Sequence, residues 1–434
     1  MTFNIKRVVL SVQILLATTV AALNVSAQET TLSLSLKQAT DMAVERNNTL
    51  ANAGLDVKIA QANKWAAIAS MLPQVSASGD YSDYCGYAMD LGGMTIQMPP
   101  SVTMGIRTSV AFSGAMLVNA QISGISRKMS DITLAQSEQD ITSQVKTLYL
   151  SALVSDEIVR LLQNNLDCLD RLYNMTLTSV KVGASEQTAA DQIAVQVAQL
   201  QNSIASTNRS LEATYNSLRL LLDVDVNTKI QLTDPLDALM SLEGYSQLLG
   251  EEFDLSRNYS WQLASKNAEL SKKQLEAAKL GTTPTLSAYH QYSLKEYLSD
   301  EQTMNMTPPN MVGVSISVPL FSSLQQNKQI EAARLSYEKQ QNTLHDTEQS
   351  LKVQHSQLCY NLSSAYETYN TQKLNIDVTQ RVFDNISLRY EQGYSSALDL
   401  TNTATNLITA QSSYVQSIMD FLNAQIALEK LLNK

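Results

Sequence analysis

Four short segments of the chain alternate apolar and polar residues, with the period of two that is typical of β-strands. They lie at about 74–83, 102–113, 285–293 and 312–321, and their polar residues are mostly small. A transmembrane barrel has such strands, with lipid on the apolar face and water on the polar face. An ordinary half-buried antiparallel sheet shows the same pattern. Four strands are too few to close a barrel of useful bore, so a barrel requires several chains.

The segments between and after the strands predict very long α-helices. No proline occurs in residues 101–234 or 320–434, and long glycine-free runs lie within both ranges. Apolar residues recur there at steps of three and four, as in helices with coiled-coil seams. We predict that each long helix folds back as a hairpin, at turns near 181–185 and 391–395. A further helix is predicted over 36–69, before the first strand.

The chain repeats itself at an interval of about 210 residues. Identical residues keep this interval in order along the chain: Arg46 and Arg257, Asn47 and Asn258, Pro73 and Pro284, Gly183 and Gly393. Matches in this order predict an internal duplication. We expect a first repeat over 28–222, an equatorial joint over 223–246 and a second repeat over 247–434. Each repeat contains a helix, two strands and a long helical hairpin.

The N-terminal segment predicts the compartment. Lys6 and Arg7 precede an apolar stretch, and residues 25–27 (Val-Ser-Ala) supply the small residues of a cleavage site. This arrangement is typical of a Sec signal peptide over 1–27, so we expect an exported protein. The sequence after it has no apolar run of about 18 residues, which argues against a transmembrane helix.

Composition and motifs argue against several other functions. The formal net charge is −10, from 31 basic and 41 acidic residues, so a general nucleic-acid surface is not expected. The three histidines lack metal-ligand spacing, and the three widely spaced cysteines predict no disulfide bond. No phosphate-binding glycine loop and no G-x-S-x-G element occurs. We therefore predict no enzyme activity, no cofactor and no metal.

Several motifs resemble the TolC family of outer-membrane efflux channels. They are Leu72-Pro73-Gln74 before the first strand, Val318-Pro319-Leu320-Phe321 before a long helix, and Arg389-Tyr390-x-x-Gly393 followed by Asp399-Leu400. Their order and spacing carry the resemblance over essentially the whole mature chain. It implies a mainly α fold with a small β-barrel part. Duplicated helical hairpins would form a trimeric α-helical tunnel, and each protomer would give four strands to a twelve-stranded transmembrane β-barrel.

The resemblance implies a transport function. The chain would be the outer-membrane exit duct of a tripartite efflux pump, passing small molecules from an inner-membrane transporter and a periplasmic adaptor to the outside. It would form a homotrimer in outer-membrane lipid, with a long periplasmic extension and no nucleic-acid partner. Two alternatives stay open: the exit duct of a type I protein secretion system, and an exported coiled-coil scaffold that is not a channel. A scaffold would not need two-faced strand hairpins in both repeats.

The resemblance also implies a periplasmic gate at the hairpin turns. In the family, a tyrosine three residues before the hairpin glycine and a carboxylate six residues after it help to close the channel. Tyr390 and Asp399 stand at these distances from Gly393, and a second family carboxylate falls on Asn402. Three symmetry-related carboxylates in a narrow pore would favour cations. Alternatively, Asp399 only stabilises a helix N-terminus and Tyr390 only packs.

The first repeat departs from the family pattern at its own turn. The residue six positions after Gly183 is Ala189, and Asp191 lies two positions further on. Gly183 and Asp191 are the corresponding gate candidates of the first repeat, although the carboxylate stands two positions later than in the family pattern. In the strands, Asp80 and Arg107 belong to the polar set and would line the barrel lumen.

Overall fold

The computed structural model of the chain describes residues 31–90, 92–93, 95–236, 242–298 and 307–434. The predicted signal peptide over 1–27 lies outside the described residues. Parts of the predicted joint and of the loops that link the strands lie outside them as well.

Long helices dominate the described chain, and short strands separate them. The strands are β1 (Thr31–Leu34), β2 (Gln74–Ser82), β3 (Ala88–Asp90), β4 (Thr95–Gln97), β5 (Ser101–Phe112), β6 (Lys229–Leu232), β7 (Thr285–Tyr297) and β8 (Asn310–Ser317). The helices are α1 (Leu36–Arg46), α2 (Asn48–Ala69), α3 (Gly114–Lys181), α4 (Gln187–Leu221), α5 (Leu242–Leu249), α6 (Tyr259–Leu280), α7 (Gln325–Glu391) and α8 (Ala397–Leu432). The predicted mainly helical fold with a small sheet is confirmed. Both halves have the order helix, two longer strands, long helix, shorter helix.

The predicted first helix over 36–69 is in fact two helices, α1 and α2. The chain is extended at Asn47, with φ −63° and ψ 123°, and the Asn47 side-chain amide donates a hydrogen bond to the Leu221 carbonyl (3.1 Å). Asn258 makes the matching bond to Leu431 (3.1 Å), and its side-chain oxygen caps the first N–H groups of α6. The side-chain bonds hold the extended residue in place. Helical periodicity in the sequence does not reveal a break of one residue.

The last strand is shorter than predicted. β8 ends at Ser317, whereas the alternating pattern runs on to 321. Pro319 has no backbone N–H to donate to a neighbouring strand, and it restricts the residue before it. β7 extends to Tyr297, beyond the predicted end at 293, because its last residues pair with the start of β5.

The chain divides into two compact units, and the first contains residues up to Asn47, Ile141–Leu248 and Asn361–Ile426. Within it, the parallel pair β1–β6 was not predicted, since strands of four residues are too short to show a period. This pair packs against α1, α3 and α4 around Tyr149, which is fully buried.

Asp234 fastens the start of α1 beside this strand pair. Its carboxylate accepts a hydrogen bond from the backbone N–H of Leu36 (2.6 Å) and lies 3.1 Å from the Tyr149 hydroxyl. The same hydroxyl lies 2.9 Å from the carbonyl oxygen of Leu34. Burial raises the pKa of Tyr149. The Tyr149 hydroxyl therefore stays protonated and able to donate.

Arg219 ties the end of α4 to the segment that leads into β6. Its side chain is buried, and Nε donates a hydrogen bond to the carbonyl oxygen of Thr228 (2.7 Å). One terminal nitrogen donates to Glu212 (2.6 Å) and to Asn216 (2.7 Å). A buried charge is tolerated where it has such partners.

The second unit contains a four-stranded antiparallel sheet in the order β2-β5-β7-β8. β5 belongs to the first half of the chain and β7 to the second, and they form 12 residue pairs. Ile106 lies opposite Ala77 on one side and Tyr292 on the other. Apolar residues therefore meet apolar residues across the sheet. A small antiparallel pair, β3–β4, lies in the loop between β2 and β5.

One face of this sheet is apolar and exposed, and we call it the apolar face. Eight of its large side chains are at least 50% exposed: Val75, Met104, Ile106, Phe112, Leu294, Val312, Val314 and Ile316. The polar face carries serines and threonines together with Asp80 and Arg107. An apolar surface of this extent requires a covering partner in water. In the described part of the chain, no helix is long and apolar enough to cross a membrane.

Replacing Arg219 by methionine should destabilise the first unit. The change leaves the buried carbonyl of Thr228 without its donor, and losing such charged hydrogen bonds costs about 1.5–3 kcal/mol. We expect the thermal unfolding midpoint of the purified protein to fall by several degrees. The control is Arg209→Met, an exposed arginine on the same helix. Equal midpoints for the two variants would show that the bonds of Arg219 contribute little.

Candidate functional site

Both hairpin turns end their long helix in the same way. Gly183 (φ +76°) and Gly393 (φ +77°) lie in the left-handed region, where a side chain costs roughly 1–2 kcal/mol. The N–H of Gly183 bonds to Val180 and the next N–H bonds back to Ser179; the second turn repeats both bonds. These bonds form the Schellman motif, which satisfies the last carbonyl groups of a helix. We call residues 182–186 the first turn and residues 392–396 the second turn.

The second turn leads into α8 through a capping box. The Ser396 hydroxyl donates to the Asp399 carboxylate (2.7 Å), as does the Ser396 N–H (3.3 Å), and the Asp399 N–H donates back to the hydroxyl (3.1 Å). A negative charge in the first turn of a helix is favoured by the helix dipole. The expectation that Asp399 lies at a helix N-terminus is therefore correct in geometry. Its carboxylate is nevertheless exposed, so the charge also faces the solvent.

The capping bonds favour the ionised form of the Asp399 carboxyl. Hydrogen bonds from the hydroxyl and the N–H of Ser396 lower the pKa of the Asp399 carboxyl, with smaller contributions from Ser395 and the Arg389 charge. Asp399 is therefore negatively charged at neutral pH. Because its folded-state pKa is depressed, its stabilising effect is present above the unfolded-state pKa. That effect disappears as the pH falls through the lower, folded-state value.

The first turn lacks this acidic cap. Glu186 precedes α4 without a capping side-chain bond, and its carboxylate accepts a hydrogen bond from Thr188 instead (3.1 Å). Ala189 stands where the second repeat has Asp399. Asp191 is exposed and accepts a hydrogen bond from Gln187 (2.9 Å). The two turns have the same backbone hydrogen bonds. They differ in that the carboxylate of Asp399, after the second turn, takes part in a capping box, whereas that of Glu186 does not.

Tyr390 connects the two hairpins near their turns. Its half-buried side chain packs in a cluster formed by α3, α4, α7 and α8, and its hydroxyl lies 2.7 Å from Oγ1 of Thr176. The single proton of the Thr176 hydroxyl is already donated to the Leu172 carbonyl (2.8 Å). Tyr390 is therefore the donor, and Thr176 is buried. Tyr390 packs as one alternative predicted, and in addition it bonds across the repeats.

The remaining predicted residues lie apart from this bond. Asn402 is exposed on α8, three residues after Asp399. Asp80 and Arg107 are exposed on the polar face of the sheet, in the second unit. Among the described residues, no cluster of three or more His, Cys, Asp and Glu side chains could hold a metal ion.

Sequence reasoning missed two residues that form hydrogen bonds with the candidate residues, Ser396 with Asp399 and Thr176 with Tyr390. Ser396 was recognisable, since Ser-x-x-Asp before an apolar helix is a capping signature. Thr176 gave no signal, because a threonine in a long helix is ordinary and its contact with Tyr390 joins residues 214 positions apart.

The sequence and the fold are similar to proteins of one class. A family model described as outer membrane efflux protein matches residues 39–223 and 254–434. Outer membrane protein TolC of Escherichia coli (strain K12) is 20% identical over 385 residues, covering 83% of this chain and 74% of that protein.

Two solved structures share the fold at low sequence identity. Crystal structures of CusC give a TM-score of 0.77 at 17% identity, covering 92% of this chain and 91% of that chain. The open state of the Neisseria gonorrhoeae MtrE outer membrane channel gives 0.76 at 17% identity, covering 92% and 88%. Since the family model matches most of both halves, including both hairpin turns, the chain belongs to the outer membrane efflux protein family.

Proposed function

We propose that this chain forms the outer-membrane exit duct of a tripartite efflux pump. The observation that carries the proposal is the small sheet, which has an exposed apolar face and a polar face in a member of an efflux family. Lipid would cover the apolar face and water would meet the polar one. The duct passes small molecules outward and performs no chemical step on them.

The edges of the sheet support a homotrimer. β2 and β8 are the outer strands, and each has one side that no other described strand of this chain pairs with. All pairs in the sheet are antiparallel, so β8 of one copy runs antiparallel to β2 of the next when the sheet closes on itself. Three copies then give a closed sheet of twelve strands, which removes every open edge.

The long helical hairpins suit the periplasmic part of such a duct. In this proposal they extend into the periplasm and meet a periplasmic adaptor and an inner-membrane transporter. The chain reaches its place through the Sec pathway, and its signal peptide over 1–27 is cleaved. Export of small molecules is favoured over the type I protein secretion alternative because the matching family is one of efflux proteins.

We assign the gate to the second turn and the bond beneath it. The Tyr390–Thr176 hydrogen bond holds the two hairpins of a protomer together, and Asp399 is an exposed, ionised carboxylate close to the turn. In a trimer these features occur three times around one axis. Breaking the bonds would let the hairpins separate, and the three charges would favour cations at the entrance.

Asp399→Asn should lower the preference of the channel for cations. The amide oxygen can still accept from Ser396, so the change removes charge and keeps a cap. We expect the cation-to-anion permeability ratio to fall roughly twofold at about 10 mM salt, where screening extends over about 30 Å. Reversal potentials in planar bilayers under a KCl gradient measure the ratio. Asp191→Asn removes an exposed charge near the first turn, and an equal effect of both variants would contradict the assignment.

Tyr390→Phe should make the closed channel easier to open. The variant keeps the packed ring and loses one hydrogen bond, worth about 1 kcal/mol or roughly a fivefold rise in open probability. Single-channel recording measures this rise. Thr176→Val removes the same bond from the other side, so the double variant should open little more than either single one. Fully additive effects would show that the two side chains act separately.

Ile316→Lys should impair insertion into the outer membrane. Ile316 is 68% exposed on the apolar face, and a lysine that faces lipid costs up to about 2–4 kcal/mol, the cost being largest at the bilayer midplane. The amount of heat-modifiable oligomer in outer-membrane fractions measures assembly. The matched control is Ser315→Lys, one residue away on the polar face, which should assemble normally. Normal assembly of Ile316→Lys with failure of Ser315→Lys would mean that the two faces are reversed.

A further inference from the structure

The polar face of the sheet holds an arginine on a tyrosine ring. The guanidinium carbon of Arg107, on β5, lies 4.4 Å from the ring centroid of Tyr289, on β7. The ring in turn lies over Gly313 on β8, where a Cβ atom would come within 2.6 Å of it. Three adjacent strands thus build one stack. The glycine makes room for the ring, and the ring positions the guanidinium through a cation–π contact.

In the part of the chain that the structure describes, the charge of Arg107 is not paired with a carboxylate. Across the sheet it lies in register with Ser76 and Gln291. Within the described part of the chain, no ion pair includes Arg107. A guanidinium that rests with one face on a ring keeps its edge N–H groups for a ligand. Those groups form a planar fork that matches a carboxylate or a phosphate group.

The other charges of the polar face balance each other. Asp80 and Lys295 both lie in register with Thr103, so a negative and a positive charge share one level of the sheet. That level is four residues from Arg107 along β5, or about 13 Å. Arg107 therefore gives its own level a net positive charge in each copy.

We infer that Arg107, held on Tyr289 and Gly313, is an anion-recognising site inside the closed sheet, selective for organic solutes that carry a carboxylate or a phosphate group, for which benzoate is the probe. The inference rests on the proposed function, since the polar face must line the aqueous path of a trimer. Three such sites would surround the path at one level. They would attract anions there, whereas Asp399 attracts cations at the turns.

The test uses the full-length protein in planar bilayers, in wild-type and Asp399→Asn backgrounds. Asp399→Asn removes the acidic charge that would otherwise dominate the selectivity. The anion-to-cation permeability ratio is measured under a KCl gradient near 10 mM. Block of the channel current is measured by adding potassium benzoate to each side of the bilayer in turn. We expect Arg107→Gln to lower the ratio roughly twofold and to weaken benzoate block roughly tenfold.

Two further variants separate charge from shape. Arg107→Lys keeps the positive charge and loses the planar guanidinium fork. The permeability ratio should therefore stay at the wild-type value, while benzoate block weakens. The matched control Asp80→Asn with Lys295→Gln removes two charges and leaves the net charge unchanged, so both readouts should stay near wild type.

The outcomes distinguish the inference from the function that it assumes. If channels form and Arg107→Gln changes neither readout in either background, the site is wrong and the duct stands. If benzoate blocks Arg107→Lys as well as wild type, charge alone acts and carboxylate recognition is wrong. If no variant and no wild-type sample forms channels, the proposed function fails together with the inference.

Discussion

The pairing of β5 with β7 is the constraint on which the sheet depends. It joins the two halves of the chain through 12 residue pairs. Four of these pairs place apolar residues opposite each other on one face: Met104 and Leu294, Ile106 and Tyr292, Val110 and Ala288, Phe112 and Leu286. A slip of one residue would turn every side chain of one strand to the opposite face. An apolar face that is continuous across β2, β5, β7 and β8 therefore requires this register. The path proposed for substrates requires it too, because the polar face must be equally continuous.

The two hairpin turns have the same backbone geometry and different side chains. Both turns have a left-handed glycine and the same pair of backbone hydrogen bonds, so both hairpins turn with the same local geometry. The two turns differ in the side chains that follow them. The second turn carries an ionised cap at Asp399, and the first has Ala189 at the corresponding position. The Tyr390–Thr176 bond then connects the hairpin of one repeat to that of the other.

Much of the fold was predictable because its signals are periodic and long. Strands of nine to thirteen residues show a period of two, and helices of 67 and 68 residues have no proline to interrupt them. Shorter features could not be predicted from the sequence. The extended residue at Asn47 needs one side-chain bond to a carbonyl 174 positions away, and no local pattern encodes such a bond. The same holds for Thr176, whose role depends wholly on its distant partner.

The site was predictable in part, through residues whose types are unusual for their place. Asp399 and Gly393 stood out, and the structure gives each a local reason in the capping box and the left-handed turn. Arg107 was assigned to the polar set by alternation alone. Its stack with Tyr289 and Gly313 depends on diagonal contacts between three strands, which the alternation of single strands does not show.

The central claim is that several copies of this chain close their sheets around an aqueous path. Single-channel recording of the purified, detergent-extracted full-length protein in planar bilayers tests this most directly. The account predicts discrete, uniform conductance steps from a sample that runs as an oligomer until it is heated. A well-folded sample that runs as a monomer and gives no steps would contradict the account.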